Sequence, residues 1–180
     1  LDMEAFEVAL EGAKLVCVVH TSNVLGIRNP VEEIIEKSQA VGARVLLDCA
    51  QSAPHERIFF DNMGADFIAI SAHKMAGPTG IGCVLVKPDA MAEMGPFMTG
   101  GSIIRRVSTE GTTFQEGHAM FETGTPRIAE AIGWGAAVEW LSQFDMREVH
   151  AHIHDIASWT ADQMLEIPGI RIFVYPSHQK

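Results

Sequence analysis

Hydrophobic residues fall along this chain in two rhythms. Short apolar runs recur at residues 13–20 (Ala-Lys-Leu-Val-Cys-Val-Val-His, continuously apolar after Lys14 up to His20), 44–48, 67–70 and 82–86. Unbroken β-branched runs of this length read as strands covered on both faces. Between the first two, Val31, Ile34, Ile35, Ser38 and Val41 recur at helical spacing. Asn29-Pro30 offers that helix a cap and a first-turn proline, and Gly42 closes it. Strand, helix, strand in this order predicts a βαβ unit with a parallel strand pair. The run at 82–86 lies close enough to the third to be its neighbour. Residues 97–113 are polar and glycine-containing and read as an extended excursion, a length of loop that usually serves a site or an interface. Helical spacing resumes at Ile128, Ile132, Ala136, Val138 and Leu141, and again over 146–167, before residues 170–174 begin a new strand. The expected division is residues 1–145 as part of a large α/β domain, and 146–180 as the connecting helix and first strand of an incomplete second domain.

Charge and composition narrow the classes. The net charge of -10, with no cluster of Lys and Arg, argues against nucleic acid as a partner. No apolar run approaches the roughly 20 residues that cross a bilayer, and nothing resembles a signal peptide, so a soluble cytoplasmic protein without a membrane partner is expected. The chain opens on Leu1 and stops soon after Tyr175-Pro176-Ser177, and it reads as a piece of a longer protein. Cys17, Cys49 and Cys83 lie in or beside apolar runs without metal-ligand spacing, which predicts buried reduced thiols. His150, His152 and His154 alternate by two within a helical stretch and are expected not to share a face, so no metal site is predicted. Gly77-Pro78-Thr79-Gly80-Ile81-Gly82 lacks the strand-to-helix spacing of a dinucleotide fingerprint. His55 and Arg105-Arg106 lie in loops and have no motif around them.

Candidate chemistry gathers where the apolar runs end. The run at 67–70 empties into Ser71-Ala72-His73-Lys74 and then into a glycine-rich loop. Open α/β sheets bind ligands at the carboxyl ends of their strands, and a lysine desolvated there loses its proton readily enough to form a Schiff base. Neighbouring ends contribute Asn23, then Asp48 with Gln51, and Thr125 follows the excursion. Taken singly, each has a plainer reading: a turn residue, a capping carboxylate, a surface amide, a solvated imidazole. Together they match the needs of pyridoxal phosphate. Asp48 would keep the pyridine nitrogen protonated, Gln51 would hold the phenolic oxygen, Lys74 would carry the Schiff base, and Ser71 with His73 would donate to the phosphate.

Three elements in order, His20-Thr21-Ser22-Asn23-Val24-Leu25-Gly26, Asp48-Cys49-Ala50-Gln51-Ser52 and Ser71-Ala72-His73-Lys74-Met75-Ala76-Gly77-Pro78-Thr79-Gly80-Ile81-Gly82, are followed by Phe121-Glu122-Thr123-Gly124-Thr125-Pro126. This series resembles the class V aminotransferase family, in its cysteine desulfurase and selenocysteine lyase branch, over essentially the whole chain. The resemblance implies a fold-type I large domain, with a mixed, mostly parallel sheet and helices on both faces, and pyridoxal 5'-phosphate as cofactor. By it Lys74 forms the Schiff base, Asp48 pairs with the pyridine nitrogen, Asn23 and Gln51 contact the phenolic oxygen side, and Ser71 and His73 hold the phosphate. Thr125 reaches the phosphate of a neighbouring subunit, which implies a homodimer. The implied reaction removes sulfur from L-cysteine to leave L-alanine and an enzyme persulfide, with a sulfur-acceptor protein and iron-sulfur cluster assembly downstream. Selenocysteine lyase, another class V activity, and a cofactor-binding scaffold without turnover remain open alternatives. The stacking imidazole, the nucleophilic cysteine and the carboxylate-gripping arginine of the family match no residue of this chain.

Overall fold

The computed structural model describes residues 1–173. Helix α1 (Met3–Ala9) is capped by Asp2, whose carboxylate accepts the Ala5 N–H at 3.1 Å. Strand β1 (Leu15–Val19), helix α2 (Val31–Ala40) and strand β2 (Arg44–Asp48) then form the expected unit, with β1 and β2 parallel in the register Val16↔Val45 and Val18↔Leu47. A short helix α3 (Phe60–Met63) leads to β3 (Phe67–Ser71), also parallel to β2. After a 3-10 turn (Ala72–Lys74) the chain doubles back, so β4 (Gly82–Val86) runs antiparallel to β3. The resulting four-stranded sheet has the order β1-β2-β3-β4. It is the mixed, mostly parallel α/β sheet that the sequence predicts.

Helix α2 lays Val31 and Ile35 on one sheet face, against Val45, Leu47, Cys49 and Ile68. These side chains are almost wholly buried, and each removes apolar surface worth about 1.5–3 kcal/mol. Three local expectations change. Pro30, not Asn29, occupies the cap position of α2, because the Asn29 amide turns away to donate to the Val19 carbonyl at 2.8 Å. Strand β1 is covered mainly on one face: Leu15, Cys17 and Val19 of this edge strand are exposed. Cys17 is therefore not the buried thiol expected, whereas Cys49 is buried and Cys83 half-buried.

Past α4 (Pro88–Ala92), the excursion contains a β-hairpin of β5 (Ile104–Ser108) and β6 (Gly111–Phe114), which the polar sequence had concealed. Helices α5 (Ile128–Leu141) and α6 (Met146–Leu165) follow. Asp145 caps α6 by accepting the Arg147 N–H at 2.9 Å. Helix α5 packs on the turn after β3, where Gly133 faces Pro78 and a Cβ on Gly77 would meet Trp134 Cδ1 at 3.0 Å. The strand expected over 170–174 does not form over its described part, 170–173, and Val174 lies outside the described residues. Among the described residues no helix is long and apolar enough to cross a membrane.

Candidate functional site

The parallel strands β1, β2 and β3 deliver their carboxyl ends to one edge of the sheet, because Val19 pairs with Asp48 and Asp48 with Ala69. Three loops leave from there. Beyond β1 the chain folds back on itself. Ser22 Oγ accepts the N–H groups of Val24 and Leu25, Gly26 takes a positive φ of 68°, and Thr21 pairs with Arg28. Asn23 sits at the exposed tip of this loop. Beyond β2, Asp48 Oδ1 accepts the Ala50 N–H at 2.9 Å, a local turn that starts the helical coil carrying Gln51 and Ser52. The Asp48 side chain is otherwise open to solvent, with an oxygen to spare for a ligand.

Beyond β3 the geometry is tightest. The 3-10 turn hangs on buried Ala72, whose carbonyl accepts both Met75 N–H at 2.8 Å and Gly77 N–H at 3.0 Å. Glycine is required at Gly82, where a Cβ would lie 2.6 Å from the Ile70 carbonyl oxygen. Ala76 is held at φ 55°, an uncommon conformation for a residue with a side chain. On this rigid turn Ser71 Oγ and His73 Nδ1 hydrogen-bond at 2.9 Å, next to half-buried Lys74. A carboxylate, an amine and a hydroxyl–imidazole pair thus occupy adjoining strand ends. They offer what a pyridine nitrogen, an aldehyde and a phosphate require, so the donor set fits pyridoxal phosphate.

Asn23 and Gln51 line one cavity of about 400 Å³ together with His55, His150 and His154. This corrects the reading of the α6 histidines: His150 and His154 stand one helical turn apart and share a face, while His152 does not line the cavity. The i, i+4 spacing was present in the sequence and would have revealed it. Among the described residues no group of three His, Cys, Asp or Glu is placed to hold a metal ion. Thr125 is exposed and lies elsewhere, in a cavity of about 850 Å³ with Gly80, Gly82 and Ser102. Two of the thiols are disfavoured as thiolates by their environment: burial pushes Cys49 up to about 11 and also raises Cys83.

Sequence reasoning placed His20 in a motif without a role and missed Glu56. His20 is 1% exposed, and neither ring nitrogen has a hydrogen-bond partner. Its Nδ1 lies 3.5 Å from Glu56 Oε1, and burial holds its pKa below the ordinary 6.5 against the opposing pull of that carboxylate. Nothing in the local pattern marks Glu56, which acquires its neighbours only on folding.

The same arrangement of chain occurs in known proteins. The apo cysteine desulfurase of Thermococcus onnurineus superposes with a TM-score of 0.86 at 35% identity, over 92% of this chain and 42% of that one. The cysteine desulfurase CsdA of Escherichia coli gives 0.83 at 33% identity, over 87% of this chain and 39% of that one. A cysteine desulfurase of Haloferax volcanii is 41% identical over 181 aligned positions, covering 100% of this chain and 42% of that protein. The chain spans about two fifths of the curated relatives it matches, 40% and 42% of the first two. The family model described as aminotransferase class-V matches residues 1–180, and the chain belongs to that family.

Proposed function

We propose that the protein containing this chain is a pyridoxal phosphate-dependent cysteine desulfurase, which converts L-cysteine to L-alanine and passes the sulfur to an acceptor protein. The observation that carries this reading is the convergence of Asp48, Ser71, His73 and Lys74 on the carboxyl ends of β2 and β3, in a chain similar throughout to cysteine desulfurases. When bound, the cofactor supplies an electron sink for charge developing at the substrate Cα. Lys74 provides the amine that attaches it and that carries a proton to and from the substrate carbon. Asp48 holds negative charge against the ring nitrogen and keeps that nitrogen protonated. Ser71 and His73 fix the phosphate, and Asn23 and Gln51 orient the phenolic oxygen side from the walls of their shared cavity.

Thr125 serves the neighbouring subunit's phosphate in a homodimer, a role supported by its place in a cavity separate from that of Asn23 and Gln51. The sulfur-accepting thiolate is none of the cysteines here, because buried Cys49 and half-buried Cys83 have raised pKa values and Cys17 lies within a strand. The division at residue 145, before α6, and a cytoplasmic location belong to the same proposal. The test is borohydride reduction of the full-length protein loaded with pyridoxal phosphate, followed by peptide mapping, together with an assay of alanine from L-cysteine and of the sulfide released when an added dithiol reduces the persulfide. A label on Lys74 and stoichiometric alanine are expected; a label on Lys14, Lys37 or Lys87 would sink the assignment.

A further inference from the structure

The Asn23 loop and the Gln51 turn start from the paired ends of β1 and β2, and past that pairing Glu56 links the two segments. Its backbone N–H donates to the Ser52 carbonyl at 3.0 Å, which fixes it at the end of the Gln51 turn. Its Oε2 accepts from Arg28 Nη1 at 2.9 Å, at the foot of the Asn23 loop, where Thr21 and Arg28 pair. Its Oε1 faces buried His20, whose backbone N–H donates to the Asp48 carbonyl at 2.9 Å. Arg28 is held from the other side by Glu32 of α2 at 3.4 Å. Exposed ion pairs contribute little, but the Glu56 side chain is only 28% exposed and lines the cavity that contains Asn23 and Gln51.

We propose that Glu56 is a positioning residue: by bonding Arg28 it fixes the Asn23 loop relative to the Asp48–Gln51 turn, and so sets the spacing of the two amides that receive the phenolic oxygen side of the cofactor. This rests on the pyridoxal phosphate reading. Glu56 itself touches no reacting atom. The sequence distance of Glu56 from Arg28 and Asn23 makes the link purely tertiary, and its loss frees the loop without disturbing the core packed by α2.

The experiment is a double-mutant cycle of Glu56→Gln and Arg28→Met in the full-length protein, read by titration of the apoprotein with pyridoxal phosphate and by hydrogen exchange of backbone amides 21–28. Each single variant should weaken cofactor binding about tenfold, the worth of one charge-assisted hydrogen bond, and the double variant no more than either. Exchange over 21–28 should accelerate in all three. Arg44→Met, which breaks ion pairs at the opposite end of the strands, controls for general loss of stability and should leave both readings as in the wild type. Wild-type affinity in Glu56→Gln, or additive losses in the double variant, would overturn the positioning role and leave the cofactor assignment intact. A wild-type protein that takes up no pyridoxal phosphate would instead remove the assignment and this role with it.

Discussion

Asp66 and Asp48 stand at opposite ends of the strands β2 and β3, and their surroundings differ in kind. Asp66, 4% exposed, accepts the Val45 N–H at 2.8 Å with one oxygen and Arg44 Nη1 at 2.8 Å with the other. Arg44 also grips Asp89 at 2.7 Å and Glu93 at 2.5 Å, tying α4 to the sheet. At this end each of these charged groups is answered by protein. Asp48 at the other end accepts one backbone N–H and otherwise faces outward, as do His73 and the tip of the Asn23 loop. A fold that completes its polar groups at one end of a sheet and leaves them open at the other reserves the open end for something it binds.

The largest effect should come from the open end. In the full-length protein Lys74→Ala should lower turnover of L-cysteine by about three powers of ten or more. Asp48→Asn, nearly isosteric but without charge, should lower it by roughly two powers of ten, if the charge contributes on the order of 3 kcal/mol. Neither should shift the urea midpoint, because neither side chain is part of the core. A large loss of stability in Asp48→Asn would place that carboxylate in the same class as Asp66 and dissolve the contrast. The complementary variant, Asp66→Ala, strands the buried Val45 N–H and should cost about 1–3 kcal/mol in denaturant unfolding while leaving cofactor affinity unchanged.

The contrast also explains what was legible in the sequence. β2, β3 and β4 are short apolar runs bounded by polar residues or glycine, and their limits and the chemistry at their ends follow from that pattern. Asp48, Ser71, His73 and Lys74 are local to those ends, so reading the strands was reading the site. The hairpin of β5 and β6 was not legible, since Arg105, Arg106, Thr112 and Thr113 carry no alternation of apolar and polar residues and all lie exposed. Nor was the open face of β1: a run apolar on both faces states that it is to be covered, and says nothing of which residues cover it. Glu56 acquires Arg28 and His20 from distant segments, and so does the packing of the His150–His154 face beside Asn23 and Gln51; tertiary proximity of that kind has no local signature, although the shared face itself follows from the i, i+4 spacing.

Thiol reactivity separates covered from uncovered surface more finely. Cys49, buried under α2 and pushed up to about 11, should resist an aromatic disulfide reagent at pH 8 until the protein is unfolded. Cys17 should be masked in the full-length protein if the exposed Leu15–Cys17–Val19 face is covered there, as its apolar sequence requires. Rapid reaction of Cys49 in the folded protein would mean that the packing of α2 on β2 opens locally.

The smallest effect concerns the buried edge of the open end. His20 is held below its ordinary pKa of 6.5, chiefly by burial and secondarily by Arg28, while Glu56 and Glu32 oppose the shift. A depressed folded pKa means that the unfolded chain takes up the proton first as pH falls. The stability associated with neutral His20 is therefore complete above pH 6.5 and is lost progressively below it, down to the depressed value. Unfolding free energies measured in urea between pH 7.5 and 5.5 should decline on this account, a tenfold difference in proton affinity between folded and unfolded chain being worth roughly 1.4 kcal/mol. His20→Asn should flatten that part of the profile. Glu56→Gln removes the carboxylate that favours the imidazolium, so the decline should extend to lower pH. A stability that rises as pH falls across this interval, and does so only while Glu56 is present, would show instead that His20 gains its proton in the folded protein and pairs with Glu56 as an ion.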